Sequence, residues 1–298
     1  METMCVGAAD GDTFWQAMQD EARNAAANEP LLASFLFSTV LNHRSLISAL
    51  SFHLANKLAA DTMPSTMLMQ LCRQALEAID GPCSTLRRDL LAVMERDPAC
   101  CQLINALLYF KGFHALQGYR VANWLWHRGR QPLALYLQSQ ISKELQVDIH
   151  PAAVIGPGAF IDHATGVVIG ETARVGADVS MLHHVTLGGS GRKHGIRHPK
   201  ICDGVLIGAG ASILGDITVG EGAQVGACSL VLTDIPAHST CVGVPARVVA
   251  TRGVGVPAME MKHERCLQQN GKSEEDGKNE VKQMHFTHKN RKTQPLQN

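Results

Sequence analysis

Aliphatic residues return at every sixth position through the middle of the chain, from residue 149 to residue 237. The frame slips by two residues after Ile161, and a polar loop interrupts it between Leu187 and Ile207. Its members are Ile149, Ile155, Ile161, Ile169, Val175, Met181, Leu187, Ile207, Ile213, Val219, Val225, Val231 and Ala237. A period of six fits neither an α-helix, which repeats about every 3.6 residues, nor a two-sided strand. It predicts a parallel β-helix of hexapeptide repeats, in which each short strand turns one aliphatic side chain inward.

Glycine stands directly after many positions of this frame. These glycines are Gly156, Gly170, Gly176, Gly188, Gly208, Gly220 and Gly226. We expect them to permit tight corners, where the backbone angle φ takes an unusual value that glycine tolerates. A β-sandwich rich in glycine and valine, with accidental spacing, is the alternative that the same residues leave open.

The residues before the repeat, from about 13 to 145, show helical patterns instead. Apolar residues between 86 and 93 recur at the spacing of an amphipathic helix. That pattern breaks at Asp97, which precedes a proline, and residues before proline avoid the α region. Further helical stripes begin at Leu103 and Leu133.

These patterns predict three regions. Residues 1–146 form an N-terminal α-helical domain, and residues 147–250 form the β-helix. Residues 251–298 form a polar tail, rich in Lys, Glu, Gln and Asn, whose composition is typical of disorder. The predicted fold class is therefore a helical domain followed by a parallel β-helix and a disordered C-terminal tail.

Composition narrows the function classes. The 298 residues include 27 Lys+Arg and 27 Asp+Glu, which gives no reason to expect nucleic acid or a membrane as a partner. No apolar run approaches the ~20 residues of a membrane span, and residues 1–12 lack the pattern of a signal peptide. Nine scattered cysteines without a CxxC motif indicate reduced thiols. We therefore expect a cytoplasmic protein.

A regular β-helix is a scaffold, so chemistry is expected where the six-residue count fails. The two-residue slip places Asp162 and His163 at a corner that the regular frame would not make. The polar loop contains Arg197 and His198, and loops on rigid scaffolds often carry function. Histidine together with arginine and lysine suits a site that moves a proton and binds an anion.

Each candidate also has a purely structural explanation, and the residue pattern leaves both open. For Asp97 the pattern alone favours a cap on the helix that follows the proline. His163 can serve only to bond a corner carbonyl, and His198 can be an exposed loop residue. Asp148 can do no more than shape the entry turn, and the histidine pair at 183–184 is best explained as surface.

Eight motifs stand out along the chain: ERDPA at residues 95–99, YFKGFHALQ at 109–117, VDIHPAA at 147–153, IDHATG at 161–166, LGG at 187–189, RHPK at 197–200, IGAGA at 207–211 and GVPAR at 243–247. Together these motifs resemble those of serine O-acetyltransferases. The repeat and the GVPAR end are shared by many acyltransferases, whereas DHATG together with RHPK narrows the choice sharply. The likeness covers roughly residues 85–250.

The resemblance implies a left-handed parallel β-helix with three hexads to a coil. The usual right-handed crossover rule would predict the opposite hand, so the hand depends on the family alone. The resemblance also implies trimers with active sites between adjacent β-helices, commonly paired into hexamers through the helical domains. Heterologous contacts of this kind close a ring when the rotation fits.

The implied reaction transfers acetyl from acetyl-CoA, a co-substrate, to the hydroxyl of L-serine, with no tightly bound cofactor and no metal. His163 matches the family's general base, and Asp148 would fix its tautomer. His198 would hold the serine carboxylate or the oxyanion. Arg197 suits the carboxylate because its planar fork matches two oxygens. Asp97 and Asp162 suit the serine ammonium.

Acetyl-CoA is expected in a groove between neighbouring β-helices. Its candidate contacts are Gly189, Lys200, Ala209, Ala211 and Arg247. Gly189 and the alanines would let the pantetheine arm approach the backbone, while Lys200 and Arg247 would bind phosphates. Many relatives carry lysine after GAGA, but this chain has Ser212 there.

Family members also suggest regulators and partners. Feedback inhibition by L-cysteine at the serine site is an expectation from the family. In relatives the extreme C-terminus docks into O-acetylserine sulfhydrylase through a terminal isoleucine. This chain ends in Asn298, which argues against a complex by that route.

Three other functions remain compatible with the residues. One is a sugar O-acetyltransferase of the same repeat class, although the long helical domain argues against it. Another is a β-helical metal lyase of the carbonic anhydrase type, with zinc held by His194, His198 and either His163 or His183. The third is a non-catalytic β-helix scaffold.

Overall fold

Helices fill the first half of the described chain, as the apolar patterns predict. The computed structural model describes residues 9–80, 85–191, 194–251 and 255–261. The helices are α1 (Ala9–Asn28), α2 (Ala33–Leu36), α3 (Leu46–Leu58), α4 (Ser65–Ile79), α5 (Thr85–Arg96), α6 (Leu103–Tyr109), α7 (Lys111–His127) and α8 (Gln131–Leu145), with a 3₁₀ turn at Pro30–Leu32 and a π turn at Phe37–Leu41. The apolar stripe of α5 is buried, and α5 ends directly before the break predicted at Asp97.

From Val147 the chain winds into a parallel β-helix of about five coils, which confirms the predicted fold class. The strands are β1 (Val147–Ile149), β2 (Val154–Ile155), β3 (Phe160–Ile161), β4 (Val167–Ile169), β5 (Arg174–Val175), β6 (Ser180–Met181), β7 (Thr186–Gly188), β8 (Lys200–Ile201), β9 (Leu206–Ile207), β10 (Ser212–Leu214), β11 (Thr218–Val219), β12 (Gln224–Val225), β13 (Leu230–Val231), β14 (Ser239–Gly243) and β15 (Ala246–Thr251). Every third strand joins the same sheet, giving β1-β4-β7-β10-β13, β2-β5-β8-β11 and β3-β6-β9-β12-β14, with β15 antiparallel to β14. The coils therefore enclose a three-sided prism.

Strand register shows where the six-residue count changes. Val147 pairs with Val167, whereas Val168 pairs with Thr186, so one coil spans 20 residues and the next 18. The two additional residues form the corner after Ile161, where the sequence predicts the slip. The polar loop falls between β7 and β8, at a different corner of the prism.

The aliphatic frame is the core of the prism, with one exception. All its predicted members are buried except Ala237, which is exposed. That assignment was wrong, because the last coil is shorter than the others. Ile235 is buried in its place and bridges to Val219.

The glycines of the frame allow close packing of coils rather than unusual backbone angles. Positive φ occurs two positions later, for example at Gly158, with a φ of 74°. A Cβ on Gly156 would lie 2.6 Å from the backbone of Gly176, and one on Gly208 would lie 2.5 Å from the nitrogen of Ala227. The expectation about φ was therefore wrong at these positions. Glycine is needed there because a side chain would collide with the backbone of the next coil.

A buried ion pair fastens the helices to the first coil. Asp89 of α5 accepts hydrogen bonds from Arg120 Nε at 2.7 Å and Arg120 Nη2 at 3.0 Å. It also accepts from Gln117 Nε2 and from the backbone nitrogen of Gly158, both at 2.8 Å. Because Gly158 belongs to the β-helix, this carboxylate joins α5, α7 and the prism.

A second buried contact fixes the end of α5. Arg96 donates to Asp178 Oδ1 at 3.3 Å and to Ser180 Oγ at 3.1 Å, both in the second coil. Its side chain is almost fully buried. Asp97 follows immediately, so this contact sets the place of Asp97 relative to the β-helix.

Within the predicted tail, α9 (Pro257–Glu260) packs on the prism, and Ser180 Oγ donates to the carbonyl of Ala258 at 2.8 Å. The rest of that tail, residues 262–298, lies outside the described residues. The three domain limits and the hand of the coil stay predictions. None of the described helices has the length and apolar character needed to cross a membrane.

Candidate active site

Two corners of the prism carry the predicted site residues. We call the corner built from residues 162–166, 182–185 and 208–211 the His163 edge. We call the corner built from 150–153, 170–173 and the loop before β8 the His198 edge. Among the described residues, hydrogen bonds and ring contacts join the predicted site residues to neighbours on their own edge, but none joins the two edges.

The His163 edge has an unusual backbone. His163 and Ala164 both have positive φ, at 56° and 58°, and Gly166 follows at 74°. Left-handed conformations are uncommon for residues other than glycine and recur at functional sites. The slip in the repeat therefore turns the His163 side chain, which is 73% exposed, away from the prism.

The start of α7 supports this corner. Lys111 Nζ donates a short hydrogen bond to Thr165 Oγ1. Gly112 packs so closely that a Cβ there would overlap the carbonyl oxygen of Ile161. Sequence reasoning included these residues only as part of a family motif. The adjacent Lys-Gly pair at a helix start was the signal that could have identified them.

Asp162 lies at the centre of the charged groups on this edge. Its Oδ2 is 3.7 Å from His163 Nε2. Burial raises the pKa of the Asp162 carboxyl, and the Asp97 carboxylate also raises it, while the imidazoles of His163 and His183 oppose the shift. The ring of His183 lies 5.8 Å from that of His163. The structure thus groups Asp97, Asp162 and His163, and it adds His183, which sequence reasoning placed on the surface.

Asp97 does not cap a helix. Its Oδ1 accepts a hydrogen bond from the backbone nitrogen of Ala99 at 2.8 Å, and the next helix begins only at Leu103. The carboxylate therefore closes a turn after α5. The capping explanation that the pattern favoured was wrong, because the chain turns sharply at Pro98 instead of starting a helix there.

The His198 edge gathers a second set of polar groups. Thr172 lies against His198, with its Oγ1 2.8 Å from His198 Nδ1. Arg197 Nη2 donates to Glu171 Oε2 at 2.5 Å, and this bond lowers the pKa of the Glu171 carboxyl. Burial lowers the pKa of His198, and the charge of Arg197 lowers it further. His150 lies close enough to interact electrostatically with both Glu171 and Arg197.

Sequence reasoning missed Glu171 and Thr172. Both occupy a corner of the regular frame, where no break in the count draws attention to them. The strand register was the signal that could have found them, because Arg174 pairs with Lys200 and so brings the preceding corner under the loop.

Asp148 lies on the face between the two edges, in β1. Its Oδ1 accepts a hydrogen bond from Gln138 Nε2 of α8 at 2.6 Å. It makes no hydrogen bond with His163 within the described part of the chain. A surface depression of about 400 Å³ opens beside it, lined by Gln138, Ser142 and Lys143. The predicted histidine–aspartate pair is therefore not formed within one chain.

The predicted contacts of acetyl-CoA are dispersed. Gly189 is exposed beside His198, and a Cβ on it would lie 3.4 Å from His198 Nε2. Lys200 is exposed on β8 and pairs in register with the exposed Arg174, which sequence reasoning did not include. These two side chains place two positive charges next to each other on one face.

The remaining candidates lie elsewhere. Ala209 is half-buried on the His163 edge, and Arg247 is exposed on the terminal hairpin. Ala211 is fully buried in the core of the prism. Its methyl group therefore faces inward and does not line a surface groove, because a residue four positions after a frame residue again points into the coil.

Comparison with known proteins covers both regions of the chain. Residues 14–118 match the family described as "Serine acetyltransferase, N-terminal", and residues 198–233 match "Bacterial transferase hexapeptide (six repeats)". A serine acetyltransferase of Salmonella typhimurium is 52% identical over 250 residues, which are 84% of this chain and 92% of that protein.

Two solved structures are similar in both sequence and fold. Soybean serine acetyltransferase complexed with serine is 55% identical, with a TM-score of 0.77, over 80% of this chain and 98% of that chain. A serine acetyltransferase in complex with cysteine is 49% identical, with a TM-score of 0.82, over 84% of this chain and 98% of that chain. Such identity spans the helices, the hexapeptide coils and both edges. The chain therefore belongs to the serine acetyltransferase family, the hexapeptide-repeat acyltransferases that act on serine.

Proposed function

We propose that the chain transfers the acetyl group of acetyl-CoA to the hydroxyl of L-serine, with His163 as the general base. The observation that carries this proposal is the exposed imidazole of His163, whose Nε2 lies 3.7 Å from Asp162 Oδ2, together with the electrostatic interaction of Asp162 with Asp97. Carboxylates attract an ammonium group, and a bound amino acid would then present its hydroxyl to the imidazole. The complex of the soybean relative with serine supports this choice of substrate.

The reaction needs a base because a neutral hydroxyl attacks a thioester poorly. His163 takes the hydroxyl proton as the serine oxygen forms a bond to the acetyl carbonyl carbon. The carbon–sulfur bond then breaks, and the departing thiolate of CoA takes the proton back from the imidazolium. General base catalysis of this kind contributes roughly 10²–10⁴-fold, and the remainder of the rate comes from holding the two substrates together.

The proposed site residues lie on two separate edges, so one chain does not form the complete serine site by itself. His163 and its carboxylates are on one corner of the prism, and Arg197 with His198 are on another. A ring of three copies places one corner of each prism against a different corner of its neighbour. We propose a homotrimer in which Arg197 and His198 of one copy complete the serine site of the next, and hexamers form by pairing of trimers.

Asp148 keeps its proposed role of orienting His163, acting through the oxygen that Gln138 does not occupy. Acetyl-CoA is proposed to follow Gly189, where small side chains leave the backbone open, with Lys200 and Arg247 at its phosphates. Arg174 joins that set because it stands beside Lys200 in register. It offers a charge in place of the lysine that Ser212 replaces.

Serine and cysteine differ only in oxygen against sulfur, so the same ammonium and carboxylate contacts accept both. We therefore propose L-cysteine as an inhibitor that competes with serine, and the related complex with cysteine supports this. The described cysteines are free thiols, which suits the cytoplasm.

The test measures release of free CoA from acetyl-CoA with serine or a panel of sugars as acceptor. We expect release with serine only, competitive inhibition by L-cysteine, and a loss of about 10²–10⁴-fold in turnover for His163→Ala. Asp97→Asn is expected to raise the KM for serine at least about tenfold. Acetylation of sugars without serine would overturn the assignment.

A matched control is His194→Ala, which removes an exposed loop histidine. It should leave serine acetylation unchanged, whereas a zinc lyase built on His194 would lose its activity. Unfolding curves for each variant show whether a lost activity reflects chemistry or a lost fold.

A further inference from the structure

Thr172 makes four hydrogen-bond contacts with Arg197 and His198 of the loop before β8. Its backbone nitrogen lies 3.2 Å from His198 Nδ1, and its Oγ1 lies 2.8 Å from the same atom. The same Oγ1 accepts from the backbone nitrogens of Arg197 at 3.0 Å and His198 at 3.2 Å. One threonine thus holds the imidazole and the two backbone amides next to it.

These contacts determine which nitrogen of His198 carries the proton. A backbone N–H can only donate, so Nδ1 must present a lone pair to Thr172. Oγ1 already accepts two amides, and its single proton is directed to Nδ1. The neutral imidazole therefore has its hydrogen on Nε2. Burial, which lowers the pKa of His198, favours this neutral form.

The protonated nitrogen packs against two glycines. A Cβ on Gly170 would overlap His198 Nε2, and one on Gly189 would lie 3.4 Å from it. Nε2 thus lies next to the bare backbone of Gly189, where the proposed function places the thioester arm. A group that donates from this position can stabilise an anion but cannot take a proton.

We propose that Thr172 is a positioning residue that fixes His198 as a neutral Nε2–H donor toward the substrates. This inference rests on the proposed function for its role in the reaction, but the tautomer can be tested without it. The proposal gives the two histidines different roles. His163 is the base, and His198 supplies a hydrogen bond to the negative charge of the serine carboxylate or of the tetrahedral intermediate.

The first measurement is the ¹⁵N NMR spectrum of the full chain labelled at histidine. The His198 signals are assigned by their loss in His198→Gln. We expect a protonated Nε2 and an unprotonated Nδ1 in the wild type at neutral pH. In Thr172→Val, we expect a mixture of tautomers or protonation at higher pH. An Nδ1–H tautomer in the wild type would overturn the inference even if serine is acetylated normally.

The second measurement is the rate of CoA release. Thr172→Val should lower kcat/KM for serine about tenfold, and Thr172→Ser, which restores the hydroxyl, should recover most of it. Thr186→Val is the matched control, since Thr186 is a half-buried threonine of β7 and its side chain makes no hydrogen bond within the described residues. If Thr172→Val and Thr186→Val behave alike in both measurements, Thr172 has no positioning role. If the wild type releases no CoA with serine, the proposed function fails while the tautomer result stands.

Discussion

Asp89 offers the clearest test of how the helices are held on the β-helix, because its carboxylate is fully buried and its partner Arg120 is nearly so. Asp89→Ala removes the acceptor of hydrogen bonds from Arg120, Gln117 and the backbone of Gly158. It leaves the guanidinium of Arg120 buried without its counter-charge. Carbonyls of Ile155 and Gly156 still accept from that guanidinium, but they do not neutralise it.

Removing one partner of a buried ion pair typically costs about 3–5 kcal/mol, mostly from the stranded charge. Because whole domains are stable by only about 5–15 kcal/mol, we expect a large fraction of the stability to disappear. In a chain of this size the midpoint of thermal unfolding should fall by roughly 6–20 °C. Since α5 ends at Arg96 and leads into Asp97, the KM for serine should rise as well.

The assay is denaturant and thermal unfolding at fixed protein concentration, with Asp20→Ala as the control. Asp20 pairs with Arg23 on α1, where both side chains are more than half exposed, so its loss should cost less than about 1 kcal/mol. Replacing both Asp89 and Arg120 by apolar residues should recover much of the loss, because no buried charge remains. If Asp89→Ala costs no more than the control, the reasoning about a stranded buried charge is refuted.

Three further substitutions test the site and the core. Gly170→Ala should displace His198 and lower turnover with serine by at least about tenfold, while the free energy of unfolding changes little. Normal kinetics would contradict the packing described at that corner. Gly112→Ala should lower the free energy of unfolding by about 1–3 kcal/mol and reduce activity, because the new Cβ would overlap the backbone carbonyl of Ile161. Unchanged unfolding curves would show that α7 does not pack tightly against the corner. Burial holds the pKa of His114 at about 3, so the free energy of unfolding should fall as the pH drops from about 6.5 towards 3. His114→Gln should make that fall shallower. An equally steep fall in the variant would mean that His114 is not buried in its neutral form.

The fold was predictable from the sequence, and the candidate site residues were identified by the same reasoning. A period of six predicts a β-helix, and residues that break the period are expected to project from it. The slip at Asp162 and His163 and the loop with Arg197 and His198 therefore stood out in the sequence alone. The prediction failed at Ala237, because a coil can close two residues early and periodicity does not report that.

Contacts between distant residues could not be predicted in this way. Nothing local pairs Gln138 with Asp148, or Thr172 with His198, since Gln138 and Thr172 look ordinary in their own segments. The role of the frame glycines was also misjudged. Sequence shows that a side chain is missing, but only the stacked coils show that the reason is the backbone of the next coil.

Periodicity and residue type at short range were enough to predict the β-helix, the helical region before it and the two breaks. Which groups meet is visible only in the folded chain. The folded structure brings Asp97 within electrostatic reach of Asp162, places Thr172 against His198, and puts the two sets of site residues on separate edges. Parallel strand register joins residues about 16 to 26 positions apart, and over that separation side-chain identity carries no local signal.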